Sequence, residues 1–516
     1  MHRPATESRL RTAAARWWPL GALTVVTLLL VAVGPMPNWP GLAHAVALPP
    51  LDLAMDLRVL VARAPGYPQL ALGLAASLVV RMALLGALFV TLGVTRSPRV
   101  AFGYAARLYV AALVPLAVAG AFTFAGLASL YAWYAWFGVA LAVLIAVILS
   151  VRRLARPGTR LRQTALVIGY LIVLTGVGAL GRLRPWGAPV AVVLSAVLTG
   201  VVLSRLVAPR PGHRRAHTWA KVATGFLLAA ALVVPPARAQ APVASDASLF
   251  IVPGVDTETG QGAAFRIDPA ALGFSCERVF YFSYRGPDGD APQGEAACPI
   301  RLHRPYAARA TRAPIGLLVD AFDAQLAAIR EQTGGAPIVV VTHSQGAVIA
   351  WRAAARGRAE GVVALVALGG FPHSPVGYPP PRVDGPGRIG ADALRVVSWF
   401  SRVLGFGTFD PDSPLARETL ARTNGLEEVF GEPLPTGTTG VLLFASADAI
   451  VAPEGRELPE DATFDIVATH VGITESAAAG SAVRAILSGG RPVEDRWIAP
   501  LLSAILPAFM PPHAEA

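Results

Sequence analysis

Ser344 stands in Thr342-His343-Ser344-Gln345-Gly346, between the apolar run Pro337 to Val341 and the helix-like Ala347-Val348-Ile349-Ala350-Trp351. An apolar run that passes straight into a helical pattern predicts a strand, a tight turn and a helix. Such a turn lifts a serine hydroxyl above the strand end and aims the following backbone N–H at a developing oxyanion. The chemistry it serves is acyl transfer or ester hydrolysis. A serine hydroxyl alone is a weak nucleophile near neutral pH, so the chain must also supply a base and a group that orients the base. After the apolar run Gly440 to Ala445 comes Ser446-Ala447-Asp448, and 22 residues beyond Asp448 stands His470, in Ala468-Thr469-His470-Val471-Gly472. In these roles His470 takes the proton of Ser344 during attack and returns it to the leaving group, while Asp448 fixes the imidazole tautomer and stabilises its charged form.

Rivals exist for each partner. His303 and His373 precede the acid-bearing strand, and His343, beside the nucleophile, is expected to project away from it. Asp410, Asp412 and Asp461 compete with Asp448, but none directly follows an apolar strand in the same local pattern. A turn carboxylate and a hydrolase-like scaffold without activity are the plain alternatives. No CxxC motif or His/Cys grouping suggests a metal, and no cofactor is expected.

These residues need a framework that holds strand ends together. Leu249 to Val252, Val279 to Tyr284, Ile338 to Val341, Val362 to Leu368 and Gly440 to Ala445 are short apolar or β-branched runs that end in turn residues. Helical stretches such as Ile315 to Gln332 and Gln345 to Arg358 separate some of them. Alternation of this kind predicts an α/β unit with a mostly parallel sheet covered by helices, whose reactive residues sit at the carboxyl ends of strands.

Taken in order, these segments resemble the α/β-hydrolase superfamily, and within it lipase-like serine esterases, over Ser248 to Leu487. Phe250-Ile251-Val252-Pro253-Gly254-Val255 resembles the oxyanion segment, Tyr281-Phe282-Ser283-Tyr284 the next strand, and Thr342 to Gly346 the nucleophile elbow. Asp410-Pro411-Asp412-Ser413-Pro414-Leu415 resembles a stretch that precedes the acid-bearing strand in bacterial lipases. Two positions depart from the family pattern: Thr342 stands where the elbow usually has Gly, and Pro253-Gly254 where the oxyanion loop usually has His-Gly. The resemblance implies an acyl-enzyme, a lipid-like acyl ester as substrate, and the backbone N–H groups of Val255 and Gln345 as oxyanion donors, since Pro253 has no N–H to offer.

The rest of the chain is of another kind. With 54% hydrophobic and only 15% charged residues the whole is too apolar for an ordinary soluble enzyme. Up to Ala239 there are 23 Lys and Arg against three acids, Glu7, Asp52 and Asp56; beyond it there are 21 against 30, a balance of +20 and −9. The basic residues fall between apolar runs and form no contiguous patch, so nucleic acid is not expected as a partner and the charge reads as a topology signal. Seven spans are expected: Trp18 to Gly34, Leu70 to Val94, Tyr104 to Ala128, Tyr131 to Ser150, Thr164 to Gly181, Ala188 to Val207 and a shorter Trp219 to Val234. Arginines before the first and after the second, fourth and sixth all fall on one side, which the positive-inside rule makes cytoplasmic, and the following domain is then extracytoplasmic. Ala237-Arg238-Ala239 completes a signal-like pattern, so cleavage after Ala239 and a short uncleaved anchor both remain open.

The domains expected are a multi-span cell-membrane region over 1–239, a linker over 240–247, a hydrolase domain over 248–490 and an apolar tail over 491–516. In an oxidising compartment Cys276 and Cys298 are candidates for a disulfide. Within 371–440, Ala391 to Leu404 puts Asp392, Arg395, Ser398 and Arg402 on one face and Leu394, Val397, Trp399, Phe400, Val403 and Leu404 on a broad apolar side. That is a lid that meets lipid or covers an acyl pocket, or else a cap helix packed on its own domain. Arg81 either meets an anionic headgroup or faces the interior of the membrane region. No acid lies inside a span to form a relay, which argues against ion-coupled transport. Three functional classes stay open: a membrane-tethered serine esterase acting on lipid or acyl esters, an acyltransferase with the same acyl-enzyme, and a receptor or assembly protein that keeps the fold for binding. Nothing in the sequence bears on oligomeric state.

Overall fold

A computed structural model describes residues 4–32, 46–49, 51–129, 144–145, 148, 160–183, 187–207, 246–370, 377–404, 409–422, 425–446, 448 and 462–492. The chain divides into two compact units, one of apolar helices and one built on a sheet.

The helical unit contains α1 (Pro4–Ala32), α2 (Leu51–Arg63), α3 (Tyr67–Thr91), α4 (Pro98–Ser129), α5 (Arg160–Leu183) and α6 (Gly187–Val207). Long runs of Leu, Ala and Val without charge favour helix, and local signals set the ends of α3. Pro68 stands in its first turn, where its missing N–H costs nothing. Gly93, at φ 73°, ends it with the Val94 N–H bonded to Phe89 O and the Gly93 N–H to Val90 O, a Schellman arrangement. Among the described residues three stretches, Tyr67–Thr91, Pro98–Phe122 and Pro189–Leu206, are long and apolar enough to cross a membrane. Their outward faces carry Leu72, Val79, Val110, Val114 and Val197, whereas Asp52, Tyr109, Ser195 and Thr199 are buried inside. Polar-in and apolar-out is the pattern a hydrocarbon solvent selects. The expected spans at Tyr131 to Ser150, apart from three residues, and at Trp219 to Val234 lie outside the described residues, as does the tail beyond 492.

The acids it lacked inside its spans arrive from α2, a 13-residue helix too short to cross a bilayer. Asp56 of α2 accepts from Arg81 Nε and Nη2 at 2.9 and 2.7 Å. Arg81 therefore faces the interior, and its guanidinium is already engaged by a carboxylate.

Among its described residues the second unit holds six strands: β1 (Ser248–Val252), β2 (Val279–Tyr281), β3 (Ile338–His343), β4 (Val362–Leu368), β5 (Thr439–Ala445) and β6 (Thr463–Ile466). All pair in parallel in the order β2-β1-β3-β4-β5-β6. Each face is covered, which is why the strands read as near-continuous apolar runs. On one face Phe250, Phe280, Val340, Leu365 and Leu442 pack under α7 (Ile315–Thr333) and α8 (Gln345–Ala355). On the other, Leu249, Ile251, Val339, Val341, Val366 and Leu443 pack under the single-turn segment Ala263–Arg266 and α12 (Ala477–Leu487). The chain steps outward from β1 to β2 along one face and returns to β3 through α7 on the other, as right-handed crossovers require. The order of strands thus reverses at β1, and the crevice between the carboxyl ends of β1 and β3 is the switch point where such sheets place their ligands. Cys276 and Cys298 are bonded, with 5.2 Å between their Cα atoms.

Beyond β4 lies α9 (Arg388–Val403), followed by the short α10 (Pro414–Thr419) and α11 (Gly425–Phe430). α9 is amphipathic, but it is mounted with its charges inward. Arg395 grips Asp412 with Nε and Nη2 at 2.8 and 2.9 Å and Asp392 with Nη1 at 2.7 Å, while the buried Ser398 donates to Phe409 O. Val396, Trp399, Phe400, Val403 and Leu404 stand exposed.

Candidate active site

β3 delivers the chain to Ser344 at φ 54° and ψ −124°, a backbone conformation that a side chain other than glycine adopts only under strain. Surrounding contacts hold it there. The Ser344 N–H donates to Leu368 O at 3.0 Å, and Ser344 O accepts from the Ala347 N–H at 3.0 Å as α8 begins. A Cβ on Gly346 would lie 2.6 Å from Val252 O and 2.8 Å from Pro253 O, so glycine alone lets α8 start against the end of β1. Thr342, where the resembling family has Gly, is fully buried, and its hydroxyl has no hydrogen-bond partner among the described residues.

Asp448 follows β5 and His470 follows β6. His470 Nε2 is 2.9 Å from Ser344 Oγ, and His470 Nδ1 is 2.6 Å from Asp448 Oδ2. All three residues are buried. With Nδ1 facing a carboxylate, that nitrogen carries the proton and Nε2 is left to accept the serine hydroxyl. Gly369, at φ 60°, passes so close that a Cβ there would lie 3.2 Å from His470 Nδ1.

The loop after β1 lies against the serine: a Cβ on Gly254 would be 3.0 Å from Ser344 Cβ. Its carbonyls are tied down. Tyr284 Oη donates to Pro253 O at 2.6 Å, and Thr257 Oγ1 donates to Gly254 O at 2.9 Å. In a trans peptide the N–H points opposite to the preceding C=O. The Val255 N–H is therefore turned away from Thr257. The Gln345 N–H likewise points away from the first turn of α8, where it has no intrahelical acceptor. Asp256, at φ 60°, keeps the loop in register by pairing with Arg312 Nη2 at 2.8 Å and by donating its N–H to Thr311 Oγ1 at 3.1 Å. The Gln345 side chain closes the circle by donating to Thr311 O at 2.6 Å.

The rival residues have other work. His343 does not project away from the site: its Nε2–H donates to His470 O at 2.9 Å, and the two rings lie 5.0 Å apart. Burial, reinforced by the neighbouring His470, pushes its pKa down to about 3, so it stays neutral and acts as a fixed donor to the backbone of His470. That link could not be read locally, because its acceptor is a main-chain carbonyl on a segment 127 residues away. His303 is buried between Tyr281 O and Thr259 Oγ1, each 3.0 Å from a ring nitrogen, and burial brings its pKa down to about 4. Asp412 serves Arg395, and Asp410 accepts the Asp412 N–H. His373 and Asp461 lie outside the described residues.

Chemically, a buried hydroxyl, an imidazole and a carboxylate form one hydrogen-bonded line. No protein-family model matches the chain, and no curated protein does. Among solved structures, the crystal structure of Aspergillus fumigatus lipase B matches 72% of this chain and 96% of its own at 13% identity, with a TM-score of 0.28. A likeness that slight carries no argument about function, which rests on the geometry.

Proposed function

We propose that the chain is a membrane-anchored serine hydrolase with an exported catalytic domain, acting on lipid-like acyl esters. The observation that carries this reading is the continuous line from Ser344 Oγ through His470 to Asp448, with contacts of 2.9 and 2.6 Å. Ser344 Oγ attacks the ester carbonyl carbon as its proton passes to His470 Nε2. The imidazolium so formed is held by Asp448, and the carbonyl oxygen, now negative, is received by the N–H groups of Val255 and Gln345. Collapse of the tetrahedral adduct breaks the bond to the alcohol oxygen, which leaves with the proton from His470. Water then repeats the sequence against the acyl-serine, giving the free acid and restoring Ser344. Extracytoplasmic placement of this unit is supported by the one-sided arginines of the helical region and by the Cys276–Cys298 bond, a linkage that persists in oxidising compartments.

The test is labelling of intact cells with a fluorophosphonate probe. A labelled band that disappears in Ser344→Ala is expected. Folded protein that takes up no probe would overturn the enzymatic reading, and labelling only after lysis would overturn the sidedness. Product analysis with and without an added alcohol tells hydrolysis from acyl transfer.

A further inference from the structure

Inside the helical unit, three charged side chains meet near the middle of α3. Arg81 is 9% exposed and Asp52 is 1% exposed, and Asp56 lies one turn along α2 from Asp52. The guanidinium commits its fork to Asp56, through Nε and Nη2 at 2.9 and 2.7 Å, and Ser77 Oγ donates to the same carboxylate. Asp52 comes no nearer to Arg81 Nε than 4.0 Å. It receives instead the Tyr109 hydroxyl from α4 and the Leu53 N–H. Among the described residues, the remaining titratable group that acts on it is the Tyr170 phenol of α5. Arg58, six residues on, leaves α2 from a different side, and Arg63 lies about three turns from Asp52; Arg107 of α4 faces outward. Two carboxylates share one guanidinium, in surroundings where burial disfavours a second charged carboxylate.

The site is also open to a small ligand. A cavity of about 30 Å³ lies against Asp52, Arg81, Tyr109 and Thr199, walled elsewhere by leucines such as Leu20 and Leu85. That is room for a water molecule, and the polar wall supplies its partners. The chain is built to put Asp52 at this cavity. Thr199 Oγ1 donates to Val46 O at 2.5 Å and lies 2.7 Å from Tyr170 Oη, which accepts the Leu48 N–H at 3.2 Å. The segment before α2 is thereby pinned to α5 and α6, and α2 begins in the interior, with Val46 and Leu53 both fully buried.

We propose that Asp52 is a proton-exchanging carboxyl of the helical unit, served by water in this cavity. On uptake an O–H bond forms at Asp52 while one breaks in a hydronium donor, and no other charge moves. The protonated carboxyl leaves a neutral set, with Arg81 balanced by Asp56. On release, the carboxylate is held by the Tyr109 hydroxyl, the Leu53 N–H and the field of Arg81. The ligand is a proton, and the helical unit has two states that differ by it.

Infrared difference spectra of the full-length protein in lipid nanodiscs, recorded as pH steps from mildly acidic to alkaline, test this. A carboxyl C=O band should titrate in the native protein, persist in Asp56→Asn and vanish in Asp52→Asn. Tyr109→Phe keeps the carboxyl and removes a donor that favours its charged form, so it should raise the proton affinity about tenfold, which guards against loss of the band through misfolding of Asp52→Asn. Persistence of the band in Asp52→Asn, an unmoved midpoint in Tyr109→Phe, or no titrating carboxyl at all would overturn the proposal. A midpoint that moves when sodium replaces choline would overturn it in favour of a metal cation at the same carboxylate.

Discussion

At the scale of single residues, the two buried neutral histidines make the sheet unit sensitive to acid. His343 and His303 are pushed down to about 3 and about 4, whereas in an unfolded chain each titrates near ~6.5. Between those values the unfolded state binds more protons than the folded one, so stability is fully present above about pH 6.5 and falls as pH drops toward about 4. The two together should cost on the order of several kcal/mol once pH has fallen through the lower of the two values. Thermal midpoints measured against pH should therefore slope steeply in the native protein and less so in His303→Gln. On the proposed function His343 also bears on turnover. His343→Phe keeps a ring but removes the donor to His470 O, a hydrogen bond of roughly 1.4 kcal/mol, so kcat should fall about tenfold with KM unchanged. An equal change in KM would mean that the ring touches substrate instead. Ser344 and Asp448 stood out in the sequence because each follows an apolar run, and His470 because it comes after them in the order acyl chemistry uses. His343 was not, because its role depends on a backbone carbonyl brought up by a distant segment.

At the scale of elements, the start of α8 has no tolerance for a side chain. Gly346→Ala drives a Cβ to 2.6 Å from Val252 O. Either α8 or β1 must shift, at a cost of about 1–3 kcal/mol, and the thermal midpoint should fall with it. The loop after β1 is held more softly, by Asp256 and Arg312 at 2.8 Å. Arg312→Ala should leave the fold in place and lower kcat more than it raises KM, because a donor that serves only the oxyanion is lost from its position. β1, β3, β4 and β5 were readable as apolar runs. β6 was not, since Thr463-Phe464-Asp465-Ile466 is four residues long and carries an acid among them. α9 was readable as amphipathic, but its mounting was not. Which side faces the protein is decided by Asp412, outside the helix, whose carboxylate makes the charged face the attached one.

At the scale of the whole molecule, the Cys276–Cys298 bond, 22 residues apart, closes a loop next to β2. In the chain-entropy account such a link is worth roughly 3 kcal/mol. Reductant should lower the thermal midpoint of the sheet unit, and a Cys276→Ser, Cys298→Ser pair should show the same drop without reductant. The division into an apolar half and a sheet half was plain from charge and hydropathy. The polar interior of the helical half was hidden, because α2 sits between the apolar runs where a sequence reading expects a loop. Ser344 owes its strained backbone to neighbours contributed by β1, β4 and the loop before Asp256, none of them adjacent in the chain. The strained turn is held only where those strands are paired, so on the proposed function the hydroxyl is presented for reaction only in the assembled sheet. Labelling by a serine-directed probe, expected on that reading, would then double as a report that the sheet has closed correctly.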